Sequence, residues 1–165
     1  FSVTPIVTNA READQVAADL RSAGARVILS LNYPERLPSL SPEADEPLAT
    51  LRERANAPKT PAALQKAGVP FAFASSGLSD VKDFLKNAAK AVGQGLPADA
   101  ALRALTLDAA TIAGAADRMG SIEAGKLANL VVTTGDLFEE KTTIAHVFVA
   151  GRPVKLDAGT RRTAP

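Results

Sequence analysis

The sequence predicts an α/β fold in which βα units of a parallel sheet are followed by a small β-ribbon. Residues 5–8 and 26–31 are short apolar runs of strand length, and residues 10–23 between them carry a helical apolar stripe. A strand, helix, strand order of this kind builds parallel sheets. After Gly114 the long helices end, and two β-rich segments follow each other directly.

The first helix is predicted to begin at Asn9, because Asn9 and Glu12 have the spacing of a capping box, and to end at Gly24. Residues 32–61 contain six prolines, which exclude a long helix or a central strand there. Only residues 48–55 are predicted to form a short helix within this proline-rich loop.

The βα alternation then continues. Gly68 and Gly93 are predicted to end two further helices, and Ser79 or Asp80 to cap the second of these. The remaining predicted elements are a helix at 61–67, a strand at 69–74, helices at 80–92, 97–105 and 108–113, and strands at 129–134 and 144–154.

The composition limits the classes of partner. A chain of 165 residues with 46% hydrophobic residues can bury one ordinary core. The 19 basic and 18 acidic residues nearly cancel, so nucleic acid and anionic membranes are not expected partners. No apolar run approaches the roughly 20 residues that span a bilayer, so a soluble protein is expected. The absence of cysteine excludes disulfides and is compatible with cytoplasm or periplasm.

Three sequence pieces resemble the C-terminal end of the amidohydrolase family, especially its imidazolonepropionase-like branch. They are ALRALTLDAATIAG at 101–114, DRMGSIEAGKLANLVV at 117–132 and IAHVFVAGRPV at 144–154. Residues 68–77, GVPFAFASSG, resemble the last catalytic strand of that family's barrel, and residues 1–31 resemble an earlier strand, helix and strand of it.

The resemblance implies that residues 1–118 are the last βα units of a (β/α)8-type barrel, with the proline-rich loop at 32–61. Residues 119–156 would be the C-terminal strands of a composite β-sandwich, and residues 157–165 a flexible tail. Since a TIM barrel takes about 250 residues, the chain is expected to be a fragment that lacks the first half. The open sheet edge then predicts association with the missing N-terminal half or with a second copy as a dimer.

The resemblance also implies a chemistry, namely hydrolysis of non-peptide C–N bonds by metal-activated water. Family members hold their metal with a His-x-His pair, two later histidines and an Asp at the end of the last catalytic strand. The only histidine here is His146, which is expected to be structural, and Ser76 occupies the position of the Asp. No catalytic residue, metal ligand or cofactor is therefore assigned to this chain, while a divalent metal such as zinc and a small amide substrate are expected in a full-length active parent.

Four residues are candidates for contacts with substrate through loops. Tyr33 and Arg36 follow a strand, where barrel loops bind substrate, although a solvated loop is the alternative. Ser75 and Ser76 have no partner histidine, so they are better interpreted as hydrogen-bonded turn residues than as nucleophiles. Asp80 could replace the missing carboxylate, but a helix N-cap is the favoured interpretation.

Lys126 is expected to be solvated beside a turn formed with Gly120 and Gly125.

The first functional hypothesis is a hydrolase fragment that is not catalytic on its own, and the alternative is a metal-free binding or scaffold domain derived from such a barrel. A nucleotide-binding α/β domain is disfavoured, because no glycine-rich loop leads from a strand into a helix.

Overall fold

The computed structural model describes residues 3–41 and 43–156, which form two compact units that divide between Leu105 and Thr106. The sequence interpretation places the change of architecture later, at residue 118, and its flexible tail at 157–165 lies outside the described residues. None of the helices in the described ranges is long and apolar enough to cross a bilayer.

The first unit contains a three-stranded parallel sheet in the order β1-β2-β3. Its strands are β1 (Ile6–Thr8), β2 (Arg26–Ser30) and β3 (Phe71–Ala74). Val27 in the central strand pairs with Val7 on one side and with Phe71 on the other. The predicted parallel arrangement is therefore confirmed, and the carboxyl ends of all three strands lie at the same edge of the sheet.

The helices of the first unit lie between these strands and after β3. They are α1 (Ala17–Ser22), α2 (Leu48–Asn56), a 3-10 turn (Ala57–Lys59), α3 (Thr60–Ala67), α4 (Asp83–Gly93) and α5 (Ala98–Leu105). The short helix predicted within the proline-rich loop is confirmed as α2. Gly68 ends α3 with a φ of 69°, in the left-handed conformation that suits glycine at this position.

The core of this unit lies on one face of the sheet. Val27 and Leu29 alternate inward along β2 and are buried together with Phe71 and Phe73 of β3, whose rings make an edge-to-face contact at 5.6 Å. Arg26, Ile28 and Ser30 on the opposite face of β2 remain partly exposed. The apolar alternation in β2 thus places its two buried side chains on one face, while Ala72 of β3 is also buried on the other face.

The predicted start of the first helix is wrong. Asn9 has a φ of 57°, and its carbonyl accepts a hydrogen bond from the Arg11 N–H at 2.9 Å. An N-cap residue requires an extended backbone, so Asn9 begins a turn instead of a helix. A series of turns follows through Val16, and α1 begins only at Ala17.

The second unit contains α6 (Leu107–Ile112) and an antiparallel sheet in the order β4-β5-β6. Its strands are β4 (Leu130–Thr133), β5 (Ile144–Val149) and β6 (Arg152–Val154). The prediction of one strand at 144–154 is wrong, because Ala150 and Gly151 both have positive φ, 48° and 77°, and reverse the chain as a two-residue turn.

Gly120 forms part of the tight turn that the sequence predicts after α6. Its φ is 96°, and a Cβ at this position would lie 2.7 Å from the Cβ of Ala110 and 3.0 Å from the backbone of Leu107. The turn can approach α6 this closely only because residue 120 has no side chain.

Candidate functional site

The carboxyl ends of the three parallel strands converge on one pocket of about 150 Å³. Asn9 follows β1, Ser30 and Asn32 lie at the end of β2, and Ser76 follows β3, and all four line this pocket. Residues at the carboxyl ends of parallel strands are brought together by the common strand direction, which is why α/β proteins place their sites there.

Hydrogen bonds hold the ends of β2 and β3 in fixed positions around the pocket. The Ser30 hydroxyl donates to the Ser76 carbonyl, and the Asn32 N–H donates to the Ser30 Oγ at 3.1 Å. The Leu31 N–H donates to the Ala74 carbonyl at 3.0 Å. Ser30 therefore links the end of β2 to the loop that follows β3.

A buried amide on helix α4 also holds this edge. Asn87 is buried, and its Nδ2 donates to the Leu31 carbonyl at 2.9 Å. The Tyr33 N–H donates to the same carbonyl at 3.0 Å, so Asn87 supplies a second hydrogen bond to this group. The amide thereby ties α4 to the residue that precedes Asn32.

The loop after β3 turns sharply at Gly77. The Leu78 N–H donates to the Ser75 carbonyl at 3.2 Å, and Gly77 has a φ of 79°. A Cβ on Gly77 would lie 3.0 Å from the Asn32 Nδ2, so the turn and the Asn32 carboxamide are in close contact. The predicted turn role of the two serines is consistent with this geometry. Both serines are exposed, and Ser76 lines the pocket whereas Ser75 does not.

The polar groups that remain available in the pocket are mostly uncharged. The carboxamides of Asn9 and Asn32 and the hydroxyl of Ser76 make no hydrogen bond to any other residue that the structure describes. Arg11 also lines the pocket, and its guanidinium forms an ion pair with Glu53 at 3.1 Å. The pocket thus offers amide and hydroxyl groups for hydrogen bonding, with one cation that already has a partner.

Tyr33, a predicted substrate-loop residue, lines the pocket. Its hydroxyl is buried and has no hydrogen-bond partner within the described chain. Burial raises the pKa of the Tyr33 phenol above its ordinary value. The side chain therefore contributes a neutral aromatic ring to this pocket at physiological pH.

Arg36, the second predicted loop residue, lies outside this pocket and lines a separate surface groove with Leu37, Pro38 and Leu40. Its guanidinium donates to the Ser41 carbonyl at 2.6 Å and forms an ion pair with Glu46 at 3.4 Å. The structure thus places Arg36 in contact with its own loop.

Glu46 is the centre of that ion-pair cluster. Arg54 donates to its two carboxylate oxygens at 3.1 and 2.5 Å, and only 7% of the Glu46 side chain is exposed. Hydrogen bonding from Arg54 lowers the pKa of the Glu46 carboxyl, and the charges of Arg54 and Arg36 act in the same direction while partial burial opposes them.

The remaining candidates have local partners. Asp80 accepts a hydrogen bond from the Lys82 N–H at 2.8 Å in the turn before α4. The prediction that Ser79 or Asp80 caps this helix is wrong, because α4 begins at Asp83 and its N-cap residue is Lys82. His146 is exposed on β5, beside the ring of Phe148. The prediction that Lys126 is solvated is wrong, because its Nζ lies 2.6 Å from the Ser121 Oγ and 3.2 Å from Glu123, with 14% of the side chain exposed.

The residues of this pocket do not fit a divalent metal. Zinc and related ions take His, Cys, Asp or Glu side chains in proteins, and none of the described residues that line the pocket is of these types. The described ranges also contain no cluster of three or more such side chains. Ser76, at the position where the resemblance expects an Asp, contributes only a hydroxyl and a backbone carbonyl.

Sequence reasoning missed Asn9, Ser30, Asn32 and Gly77 as site residues. The available signal was position, because three of them end or directly follow predicted parallel strands, whose carboxyl ends meet. The contact between Gly77 and Asn32 had no sequence signal, since it depends on the register between β2 and β3.

The comparisons with known proteins agree with this architecture. The model of the amidohydrolase family, described as "Amidohydrolase family", matches residues 4–154. The match covers most of the chain, so the protein belongs to the amidohydrolase family. No curated protein sequence matches the chain.

Solved structures extend this result to the fold. An amidohydrolase from Thermotoga maritima matches with a TM-score of 0.71 and 27% identity over 95% of this chain and 37% of its own. A Xaa-Pro dipeptidase with bound methionine in its active site has a TM-score of 0.68 and 21% identity, with 92% and 40% covered. An adenosine deaminase from Xanthomonas campestris with bound zinc has a TM-score of 0.56 and 24% identity, with 93% and 39% covered. The chain therefore spans about two fifths of the length of these proteins.

Proposed function

We propose that this chain is the C-terminal part of a metal-dependent amidohydrolase whose complete form hydrolyses non-peptide C–N bonds in amides or rings. Membership of the family and the pocket at the carboxyl ends of the parallel strands support this proposal. In the complete protein a divalent metal such as zinc would lower the pKa of a bound water. The chain itself would supply the pocket edge and the loops, without independent catalysis.

The sheet edges support a barrel that continues outside this chain. Strands β1 and β3 flank β2 and have no second partner among the described residues. Parallel strands are normally paired on both sides and covered on both faces. We therefore assign residues 1–118 to the last βα units of a barrel, completed by the missing N-terminal half or by a second copy of the chain.

The antiparallel sheet of the second unit supports the composite β-sandwich. Val131, Val147 and Val154 are directly paired across β4, β5 and β6, so they lie on one face together with Val149. Val131, Val149 and Val154 are 56%, 55% and 43% exposed. An apolar sheet face of this kind is normally covered by another layer, and strands from outside this chain are the proposed cover.

The second candidate function is a metal-free binding or scaffold role for the same fold. The observation that favours it is Ser76, because a hydroxyl replaces the carboxylate that the family resemblance expects. The polar side chains around Ser76 are amides and a second hydroxyl, which bind ligands by hydrogen bonds and are weak ligands for divalent metals.

Bound metal separates these two functions. Elemental analysis would compare the 165-residue chain with the longest natural form of the protein. Stoichiometric metal in the longer form alone is the expected result for the hydrolase. Metal in neither form would favour the binding role, and metal in the short chain would contradict the assignment of its residues.

A carboxylate restored at position 76 provides a second test on the longer form. Ser76→Asp is expected to increase metal occupancy, because it adds an anionic oxygen ligand at the pocket. Ser75→Asp adds the same charge one residue away, outside the lining residues, and is expected to leave occupancy unchanged. Equal gains in both variants would show a general charge effect instead of a ligand position.

A further inference from the structure

The polar side chains that line the pocket between β1, β2 and β3 determine which class of ligand it can bind. The groups that line it without a hydrogen-bond partner among the described residues are the carboxamides of Asn9 and Asn32 and the hydroxyls of Ser76 and Tyr33, and no carboxylate or imidazole lines it among the described residues. A carboxamide presents a donor and an acceptor in one plane. Its best partner is another planar group with an acceptor and a donor side by side.

The backbone and its neighbours hold these amides in place. Asn9 is in the left-handed conformation with a φ of 57°, which asparagine adopts more readily than most residues other than glycine. On the opposite side of the pocket, Gly77 leaves room for the Asn32 carboxamide, and the Asn32 N–H is fixed by the Ser30 hydroxyl.

The size of the pocket limits the ligand. A volume of about 150 Å³ is comparable with a cavity that holds a single six-membered ring. The partly exposed ring of Tyr33 also lines the pocket, so it can cover an apolar body as well as a polar edge.

We infer that this pocket binds a small, uncharged, planar molecule through an amide-type edge, and that it does so without a metal. Asn9 and Asn32 supply the paired hydrogen bonds, and Ser76 supplies a hydroxyl where a metal-binding carboxylate is expected. This inference rests on the second candidate function and names the class of ligand for it.

Benzamide and benzoate are a matched pair of probes, because they share a ring and differ in the neutral amide against the charged carboxylate. Calorimetry would measure their binding to the longest natural form of the protein, before and after removal of metal by EDTA. Benzamide is expected to bind with the same affinity in both states and more tightly than benzoate.

Two variants remove the amides by different routes. Asn9→Gly deletes one carboxamide and suits the positive φ, so the fold is not weakened. Asn32→Leu keeps the volume and removes the donor and the acceptor. Each is expected to weaken benzamide binding about threefold to tenfold, the effect of a lost hydrogen bond. Asn56→Leu, at an exposed asparagine of α2 outside the pocket, is the control and should bind as the wild type does.

Three outcomes would overturn the inference. Tighter binding of benzoate would mark an anion site centred on Arg11. Loss of benzamide binding with EDTA would mark a metal-dependent site and would favour the hydrolase. Absence of binding, or equal binding by all variants, would remove the amides from the site. Benzamide binding that survives EDTA supports this inference, while the hydrolase proposal stands or falls separately on the metal content of the untreated longer form.

Discussion

A side chain at position 77 is disfavoured both by the backbone conformation of Gly77 and by steric contact with a neighbour. Its φ of 79° disfavours any L residue, and a Cβ would lie 3.0 Å from the Asn32 Nδ2. Gly95 has a similarly positive φ of 100° with nothing within 4 Å, and Gly93 at the end of α4 has neither constraint. Alanine substitutions at these three glycines therefore distinguish the effect of backbone strain from the effect of contact with a side chain.

Gly77→Ala is expected to lower the free energy of unfolding by about 1–2 kcal/mol from backbone strain, with an added loss of benzamide binding because Asn32 must move. Gly95→Ala should show the strain without the binding loss. Gly93→Ala should be neutral or stabilising by up to about 1 kcal/mol. Urea unfolding and calorimetry measure the two effects, and an unchanged binding constant in Gly77→Ala would refute the contact with Asn32.

Residues are predictable from the sequence when their role is local. The turn role of Ser75 and Ser76 was expected because neither serine has a partner histidine, and the Asp80 carboxylate has a local backbone partner near the start of α4. Asn9 was misinterpreted because asparagine suits both an N-cap and a left-handed turn. Only the path of the chain after β1 decides between them.

At the scale of elements, the loop between β2 and α2 is organised by Glu46. The carboxylate joins Arg54 of α2 to Arg36, and Arg36 also donates to the carbonyls of Ser41 and Ala44. This cluster links the far end of the loop to the segment that begins with Asn32 at the pocket. The loop is therefore positioned by side-chain ion pairs, because its prolines exclude regular backbone pairing.

The Glu46 cluster predicts a pH dependence of stability. Because the pKa of Glu46 is lower in the folded state, its interactions stabilise the fold above the unfolded-state pKa and are lost as pH falls through the folded-state pKa. Glu46→Gln is expected to lower the melting temperature at neutral pH, with a difference from wild type that shrinks below the ordinary glutamate pKa of about 4.3.

Thermal melts across this pH range measure that difference. Glu43→Gln, at an exposed glutamate of the same loop, is the control and should match the wild type at every pH. A gap between Glu46→Gln and wild type that stays constant into acid would mean that the carboxylate charge does not stabilise the loop.

The elements with strong apolar runs were the predictable ones. The three parallel strands were found because buried strands need continuous or alternating apolar residues, as in residues 26–31. The hairpin between β5 and β6 was missed because β-rich residues lie on both sides of Gly151, which hides the reversal. The Glu46 cluster was missed because it depends on how the proline-rich loop folds back, for which the sequence carries no periodic signal.

At the scale of the whole molecule, the valine face of the second unit is the feature that most requires a partner. Val131, Val149 and Val154 lie together and expose apolar surface on one face of β4-β5-β6. Exposed apolar patches on folded proteins mark interaction surfaces or aggregation sites. The opposite face includes Val132 and the exposed His146, which are paired with each other.

Val149→Thr is expected to have opposite effects on the two lengths of the protein. It should reduce self-association of the 165-residue chain, and it should destabilise the longest natural form by about 1–3 kcal/mol, because the added hydroxyl would be buried under the covering layer. Light scattering and urea unfolding measure these effects. Val132→Thr on the other face is the control, and an equal cost for both variants in the longer form would refute a cover specific to the valine face.

The hydrogen bond from Asn87 to the Leu31 carbonyl has a consequence for protein engineering. The ligand pocket is lined by loops and strand ends, yet the position of its β2 edge is held in part by an amide on helix α4 that does not line the pocket. Directed evolution confined to the lining residues would leave this determinant unsampled. A library that also varies α4 around residue 87 would reach changes in ligand selectivity through displacement of the pocket edge.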